Sequence, residues 1–301
     1  MNNIILKNEI EWYKEDIKAK ELVKVLNDSN DTMKEKFYIR EVSETQELNE
    51  IVDLQTKIWW FDYKEAVPSH YLKATNKIWW IVLWIFDKKN TIIWFCFTSI
   101  GIDNDWPYHY LHMIWVDPSM RWENIWFELL KQHYEISKKR NIKKITWTYD
   151  PLEPMNANLY IRKIWWIVDS PYLEDEYGKN IKWLNSEIPS DRFLISWNLA
   201  NENVYKKLKK IDLEEIDLEE IHQNLVNPLD LDSIKNNKTI YVQIPENFQK
   251  IKQENFDLAT LWRERTKVVF SYYLSNWYTI NDFLTIKDDS KRQNFYKLER
   301  K

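Results

Sequence analysis

The most chemically pointed stretch of this 301-residue chain is a strand-to-helix junction, Val116-Asp117-Pro118-Ser119-Met120-Arg121-Trp122-Glu123-Asn124-Ile125-Trp126. Successive backbone N–H groups at such a junction, on the positive end of a helix dipole, form a cradle for anionic phosphoryl groups. The cradle works only where side chains stay clear of the main chain, so it requires small residues. Trp122 and Trp126 are the bulkiest side chains that could stand there. The same contradiction runs through the chain, which has 18 tryptophans and only two glycines, Gly101 and Gly178. About 20 glycines would be ordinary at this length. Trp-Trp pairs at 59–60, 79–80 and 165–166, and the run Trp79-Trp80-Ile81-Val82-Leu83-Trp84, are too bulky for tight turns. Some bacteria decode UGA as glycine where a standard alternative table writes tryptophan. Many of these letters read as glycines recorded that way.

The elements that must position this junction follow from periodicity. Phe37–Val42 alternates as a strand, and Ser43 caps a helix whose apolar residues Leu48, Ile51, Leu54 and Ile58 recur at helical spacing. Pro68 opens a short helix through Thr75. Strands are predicted over Ile81–Phe86, Ile92–Ile100 and Tyr108–Val116, then an amphipathic helix over Ile125–Lys139. Lys144–Tyr149 reads as a strand, Asn156–Lys163 as a helix, and Ile167–Tyr172 and Phe193–Leu199 as strands. This alternation defines an α/β domain with a mixed sheet over 37–200, preceded by a helical extension over 1–36. Residues 201–238 read as a charged, solvated helical connector. Residues 239–301 read as a small C-terminal α/β unit, with a strand at Thr239–Ile244, a helix at Ala259–Leu274, a strand at Tyr278–Leu284 and a frayed end from Asp288.

Bulk properties narrow the function classes. Net charge is −4, with no basic field for nucleic acid. One cysteine, Cys96, allows no internal disulfide and fits a reducing compartment; in its apolar strand it reads as a small buried hydrophobe. No run approaches the ~20 apolar residues of a membrane span, and the N-terminus lacks a signal-peptide core. The expectation is a soluble cytoplasmic protein with neither membrane nor nucleic-acid partners. Its oligomeric state is open, with a homodimer among the options. His109 and His112 face opposite sides of a strand and make no metal site by themselves, so no metal is expected.

With glycine at 122 and 126 the junction reads Arg-Gly-Glu-Asn-Ile-Gly, and it resembles the acyl-CoA pyrophosphate loop of the GNAT acetyltransferase superfamily, Arg/Gln-x-x-Gly-x-Gly/Ala. Asn124 departs from that pattern where glycine is usual. Further stretches resemble one branch with a Thr-Trp-Thr-Phe/Tyr-Asp-Pro-Leu signature: Ile58–Asp62, Val67–Leu72, His112–Val116, Ile145–Leu152, Asn156–Leu159, Lys163–Trp165, Pro189–Arg192 and Trp197–Leu199. Ile244-Pro245, Leu261-Trp262-Arg263 and Trp277-Tyr278 extend the likeness to roughly 38–284. Against that branch, Trp59, Trp147 and Trp197 fall on tryptophans. Trp60, Trp79, Trp80, Trp84, Trp94, Trp106, Trp115, Trp122, Trp126, Trp165, Trp166, Trp183 and Trp277 read as glycines.

The resemblance implies a GNAT acyltransferase fold, α/β with a mixed central sheet, splayed strands at Tyr108–Val116 and Lys144–Tyr149, and flanking helices. It implies acetyl-CoA as co-substrate, and acetyl transfer to an amine on a small-molecule acceptor. The pantetheine arm would lie along the main chain at Ile114 and Val116, and the diphosphate on Arg121, Trp122, Glu123, Asn124, Ile125 and Trp126. His112, placed by period-two alternation on the face of Ile114 and Val116, is either the base or a hydrogen-bonding histidine. Asp150 is either an acceptor-binding carboxylate or base, or ordinary Asp-Pro turn chemistry. Asp191-Arg192 orients a substrate carboxylate or forms a surface ion pair. The family's general-acid tyrosine sits in Leu-Tyr-x-Lys-x-Gly. Here Leu159-Tyr160-Ile161-Arg162-Lys163-Ile164-Trp165 carries one extra residue, which turns Tyr160 about 100° off an α-helical register. A CoA-binding module without catalysis is the competing reading. With the tryptophans taken literally, a carbohydrate-stacking surface is another.

Overall fold

Leu48, Ile51 and Leu54 of one helix pack with Leu72 of the next helix against Phe95 and Phe97. This core organises the first of two units into which the chain divides, Met1–Arg140 and Asn141–Lys301. The computed structural model describes residues 37–42, 44–59, 63–64, 66–75, 81–87, 92–103, 106–116, 125–163, 167–168, 170–178, 187–199, 217–288 and 291–301. The extension over 1–36 and residues 201–216 of the charged connector lie outside these residues.

In the first unit the elements are β1 (Phe37–Glu41), α1 (Thr45–Trp59), α2 (Ser69–Thr75), β2 (Ile81–Asp87), β3 (Ile92–Asp103), β4 (Trp106–Val116) and α3 (Ile125–Lys139). The four strands pair antiparallel in sequence order. Helix α1 is tied to the α2 entry by Gln55, whose side chain accepts from the Val67 N–H at 2.9 Å.

In the second unit β5 (Lys144–Tyr149) pairs antiparallel with β6 (Phe193–Asn198). Between them come a single α turn, α4 (Pro154–Ala157), and a π-helical turn over Asn158–Lys163. The strand expected over Ile167–Tyr172 reduces to bridges: Ile167 to Ser196, Val168 to Ile280 and Leu173 to Arg192. A second sheet then follows, built from β7 (Leu225–Val226), β8 (Thr239–Ile244), β9 (Tyr278–Asp288) and β10 (Lys291–Arg300), in the order β7-β8-β10-β9. The β7–β8 pair is parallel and the others antiparallel, so this sheet is mixed. Helices α5 (Leu218–Gln223), α6 (Phe248–Glu254) and α7 (Phe256–Ser275) complete the unit. Side-chain caps start all three: Asp217, Asn247 and Asn255 accept main-chain N–H groups of the first turn.

Two expectations need correction. The segment after Asp288 does not fray. It forms β10, between β8 and β9, with Phe295, Tyr296 and Leu298 buried. Its charged letters hid it, because both faces of this strand are covered and the apolar pair Phe295-Tyr296 breaks the period-two pattern. The stretch 217–238 is more than a connector, since α5 and β7 lie in it and β7 extends the second sheet.

The tryptophans sort by environment. Trp147 and Trp197, which read as genuine, are buried in the second unit. Trp106 and Trp277, which read as glycines, are 55% and 76% exposed. Trp277 follows the Asn276 C-cap of α7 and has φ 67°. That is the left-handed position after a helix, where glycine is the usual residue and a bulky one is an outlier.

Candidate functional site

Strand β4 contains a β-bulge. Phe97 pairs with Met113 and Thr98 with Leu111, so His112 is an extra residue with no partner in the β3 register. The bulge changes which side chains share a face. The His112 ring meets Phe97 edge-on at 5.8 Å, and Met113 packs on the same cluster as Phe97. Ile114 pairs with Cys96, which alternates to the face opposite Phe95 and Phe97. His112 therefore does not share a face with Ile114; the period-two expectation failed at the bulge. His112 is exposed by surface area, with the Phe97 ring against one side of its imidazole. The lost hydration pulls its imidazole below the usual range, so it stands neutral near pH 7.

The other face of β4 carries a buried histidine pair. His109 and His133 of α3 stack at 5.4 Å, and His109 Nδ1 meets Ser137 Oγ at 2.8 Å. Neither ring nitrogen of His133 has a hydrogen-bond partner among the described residues. Burial holds His133 well below the usual range, reinforced by His109 and Arg140. Cys96 is buried and burial raises its thiol to about 12, leaving it inert.

Asp150, directly after β5, is fully engaged. Arg263 of α7 donates from Nη1 to Oδ1 at 2.9 Å and from Nη2 to Oδ2 at 2.5 Å. The Leu152 N–H also donates to Oδ1. Burial opposes the carboxylate's charge, but Arg263 outweighs it and holds Asp150 below its ordinary range. The Arg263 guanidinium in turn stacks on the Phe248 ring at 5.0 Å. Glu153, close by, accepts from Gln249 Nε2 at 2.5 Å. Burial, then the charge of Asp150, raises it to about 7. Sequence reasoning missed Glu153, and it quoted Arg263 without giving it a role. No short-range spacing links Arg263 to Asp150.

Tyr160 lies in the π turn, buried edge-on against Trp147 and Tyr149 at 5.1 and 5.4 Å. The 100° offset read from sequence assumed α geometry. A π turn takes one residue more, and the extra residue of this segment is accommodated there. Arg162, in the same turn, forms an ion pair with Asp282 of β9. Burial raises the Tyr160 hydroxyl, with Arg192 pulling the other way.

Asp191 and Arg192 part company. Asp191 is buried and accepts from Tyr172 OH and the Asp175 N–H, both at 3.0 Å, which binds the 172–175 and 190–192 segments together. The Arg192 main chain exchanges two hydrogen bonds with Leu173, while its side chain stacks on the Tyr177 ring at 5.1 Å. Arg121, Trp122, Glu123 and Asn124 lie outside the described residues. Ile125 and Trp126 open α3, and Val116 ends β4 opposite Trp94. Among the described residues no group of three or more His, Cys, Asp or Glu is placed to hold a metal ion, and no helix is long and apolar enough to cross a membrane.

No protein-family model matches the chain, and no curated protein matches it in sequence. Several solved structures resemble part of it. One is a spermidine N-acetyltransferase SpeG chimera from Vibrio cholerae and hSSAT (15% identity, TM-score 0.44, covering 58% of this chain and 99% of the other). Another is an acetyltransferase of GNAT family from Streptococcus pneumoniae (16%, 0.42, 54% and 99%). A third is Arabidopsis thaliana NAA60 in complex with a bisubstrate analogue (13%, 0.43, 54% and 97%).

Proposed function

We propose that this chain is a GNAT-type acyltransferase that moves an acetyl group from acetyl-CoA to an amine on a small molecule. The observation that carries the reading is the β4 bulge at His112. It leaves His112 without a partner in the β3 register one residue before Met113-Ile114, on the strand that ends at Val116 and precedes helix α3 in the chain. This fits a strand whose main chain serves a ligand. The main chain at Ile114 and Val116 would hold the pantetheine arm, and residues 121–126 the diphosphate, provided 122 and 126 are glycine. A main-chain N–H aimed at a thioester carbonyl stabilises developing negative charge without reorganisation.

The chain's own residues divide the remaining work. His112, neutral near pH 7, takes the proton that the acceptor ammonium must lose before its nitrogen attacks. Asp150 serves as a positioning carboxylate through its lock on Arg263. Tyr160 is the candidate proton donor to the departing thiolate, brought round by the π turn.

A non-catalytic CoA-binding module is the second reading, and the enclosure of Tyr160 by Trp147 and Tyr149 favours it. The test uses the full chain with glycine at the thirteen positions, alongside the literal sequence. Acetyl-CoA-dependent thiol release is measured over a panel of amines, and CoA binding by calorimetry. The glycine protein is expected to bind CoA and turn over, and the literal Trp122/Trp126 protein to bind poorly. CoA binding without turnover on any amine would establish the module, and indifference to CoA would end both readings. UGG codons at 122 and 126 would remove the basis for the loop.

A further inference from the structure

Arg192 is 8% exposed, and among the described residues no hydrogen bond or ion pair engages its guanidinium; its Nε is buried without a partner. The guanidinium stacks on the Tyr177 ring at 5.1 Å. The carboxylates around it are already taken. Asp150, whose charge it feels, is forked by Arg263, and Asp191 is held by Tyr172 and the Asp175 N–H. A desolvated guanidinium with unmade hydrogen bonds is costly, and buried charges are ordinarily paired, so this one is poised for a partner. The setting is polar at one point: Tyr177 OH and Thr148 Oγ1 meet at 2.9 Å on the partly exposed side of the β5–β6 pair. Thr148 pairs with Leu194, two residues beyond Arg192 and on the same face by alternation. Arg192 is locked in place by the Leu173 main-chain bonds and by the Asp191 clasp beside it.

We propose that Arg192 is the docking point for a carboxylate carried by the acceptor, with the hydroxyl pair of Tyr177 and Thr148 beside it, so that the acceptor is an amino acid or a close analogue. The planar fork of arginine matches both oxygens of a carboxylate, and the Tyr177 ring orients the fork from its face. Only the word acceptor rests on the acetyl-transfer reading; the carboxylate site itself does not.

The test is binding to the full chain without acetyl-CoA, measured by calorimetry on matched pairs: phenylalanine and phenethylamine, tyrosine and tyramine, lysine and cadaverine, with benzoate as a bare carboxylate. The carboxylate member of at least one pair is expected to bind about 100-fold more tightly than its decarboxylated amine. Arg192→Gln should abolish that preference, with an unchanged circular-dichroism spectrum, while Arg192→Lys keeps the charge and loses most of the fork. The wild-type pair comparison stands even where Arg192→Gln does not fold. Equal affinity within every pair, no carboxylate binding at all, or phosphoethanolamine outcompeting every carboxylate would each overturn the assignment. Carboxylate binding that depends on Arg192 without any acetyl transfer would overturn the enzyme reading and leave this one intact. Acetyl transfer with equal kcat/KM across each pair would do the reverse.

Discussion

Arg263 closes on Asp150 with both arms of its fork, from a helix 113 positions further along the chain. Both groups are buried, so the pair exchanges two desolvation costs for one close attraction. Removing one partner strands the other. Arg263→Met is expected to destabilise the second unit by about 3–5 kcal/mol, and the double variant Asp150→Leu/Arg263→Met by much less. Denaturant melts of the three proteins decide it; equal losses in single and double variants would show that the pair does not act as a unit. The sign with pH follows from the depressed folded pKa of Asp150. Its contribution is present above the unfolded carboxylate value and is lost as pH falls through the lower folded one.

His133 supplies a second pH dependence, of different origin. Its folded pKa lies well below the ordinary histidine value, so the unfolded chain binds the proton first. Stability is then full above about pH 6.5 and falls beneath it, by at most about 1.4 kcal/mol per pH unit. His133→Phe should flatten the melting temperature between pH 6.5 and 5. An unchanged slope in that variant would locate the acid sensitivity elsewhere.

His112 connects stability-neutral chemistry to turnover. If it accepts the acceptor's proton, the acid limb of kcat/KM has a midpoint below the ordinary histidine value, since desolvation lowers its pKa. His112→Gln should erase that limb and slow turnover by about 100-fold or more. A variant that keeps the limb would transfer the role to another group, Glu153 first, whose carboxyl is raised to about 7.

Trp277 tests the reading of the tryptophans by folding alone. A non-glycine residue held at left-handed φ costs roughly 1–2 kcal/mol. Trp277→Gly at φ 67° is thus expected to stabilise the second unit, raising its Tm by roughly 2–4 °C. Trp197→Gly, in the buried core, should be severely destabilising. Equal effects at the two positions would remove the distinction between them.

Much of the framework was legible from the letters, because long periodic stretches such as Ile125–Lys139 and Lys144–Tyr149 leave few alternatives. What escaped was set by tertiary pairing. The bulge at His112 cannot be seen in one strand, since it exists only against β3, and a single inserted residue reverses the face of all that follows. The Asp150–Arg263 lock spans two distant segments of the chain. The π turn at Asn158–Lys163 left a trace, the one-residue surplus around Tyr160, but not its geometry. Strand β10 was lost because Lys291, Arg292, Lys297 and Arg300 resemble a solvated tail, while Phe295, Tyr296 and Leu298 are covered only once β8 and β9 stand on either side.

That placement of β10 constrains how the polypeptide is made. Until residues 291–300 leave the ribosome, β8 and β9 each offer a bare edge where β10 stands in the folded sheet. A nascent chain stalled at 290 should therefore be chaperone-dependent and protease-sensitive.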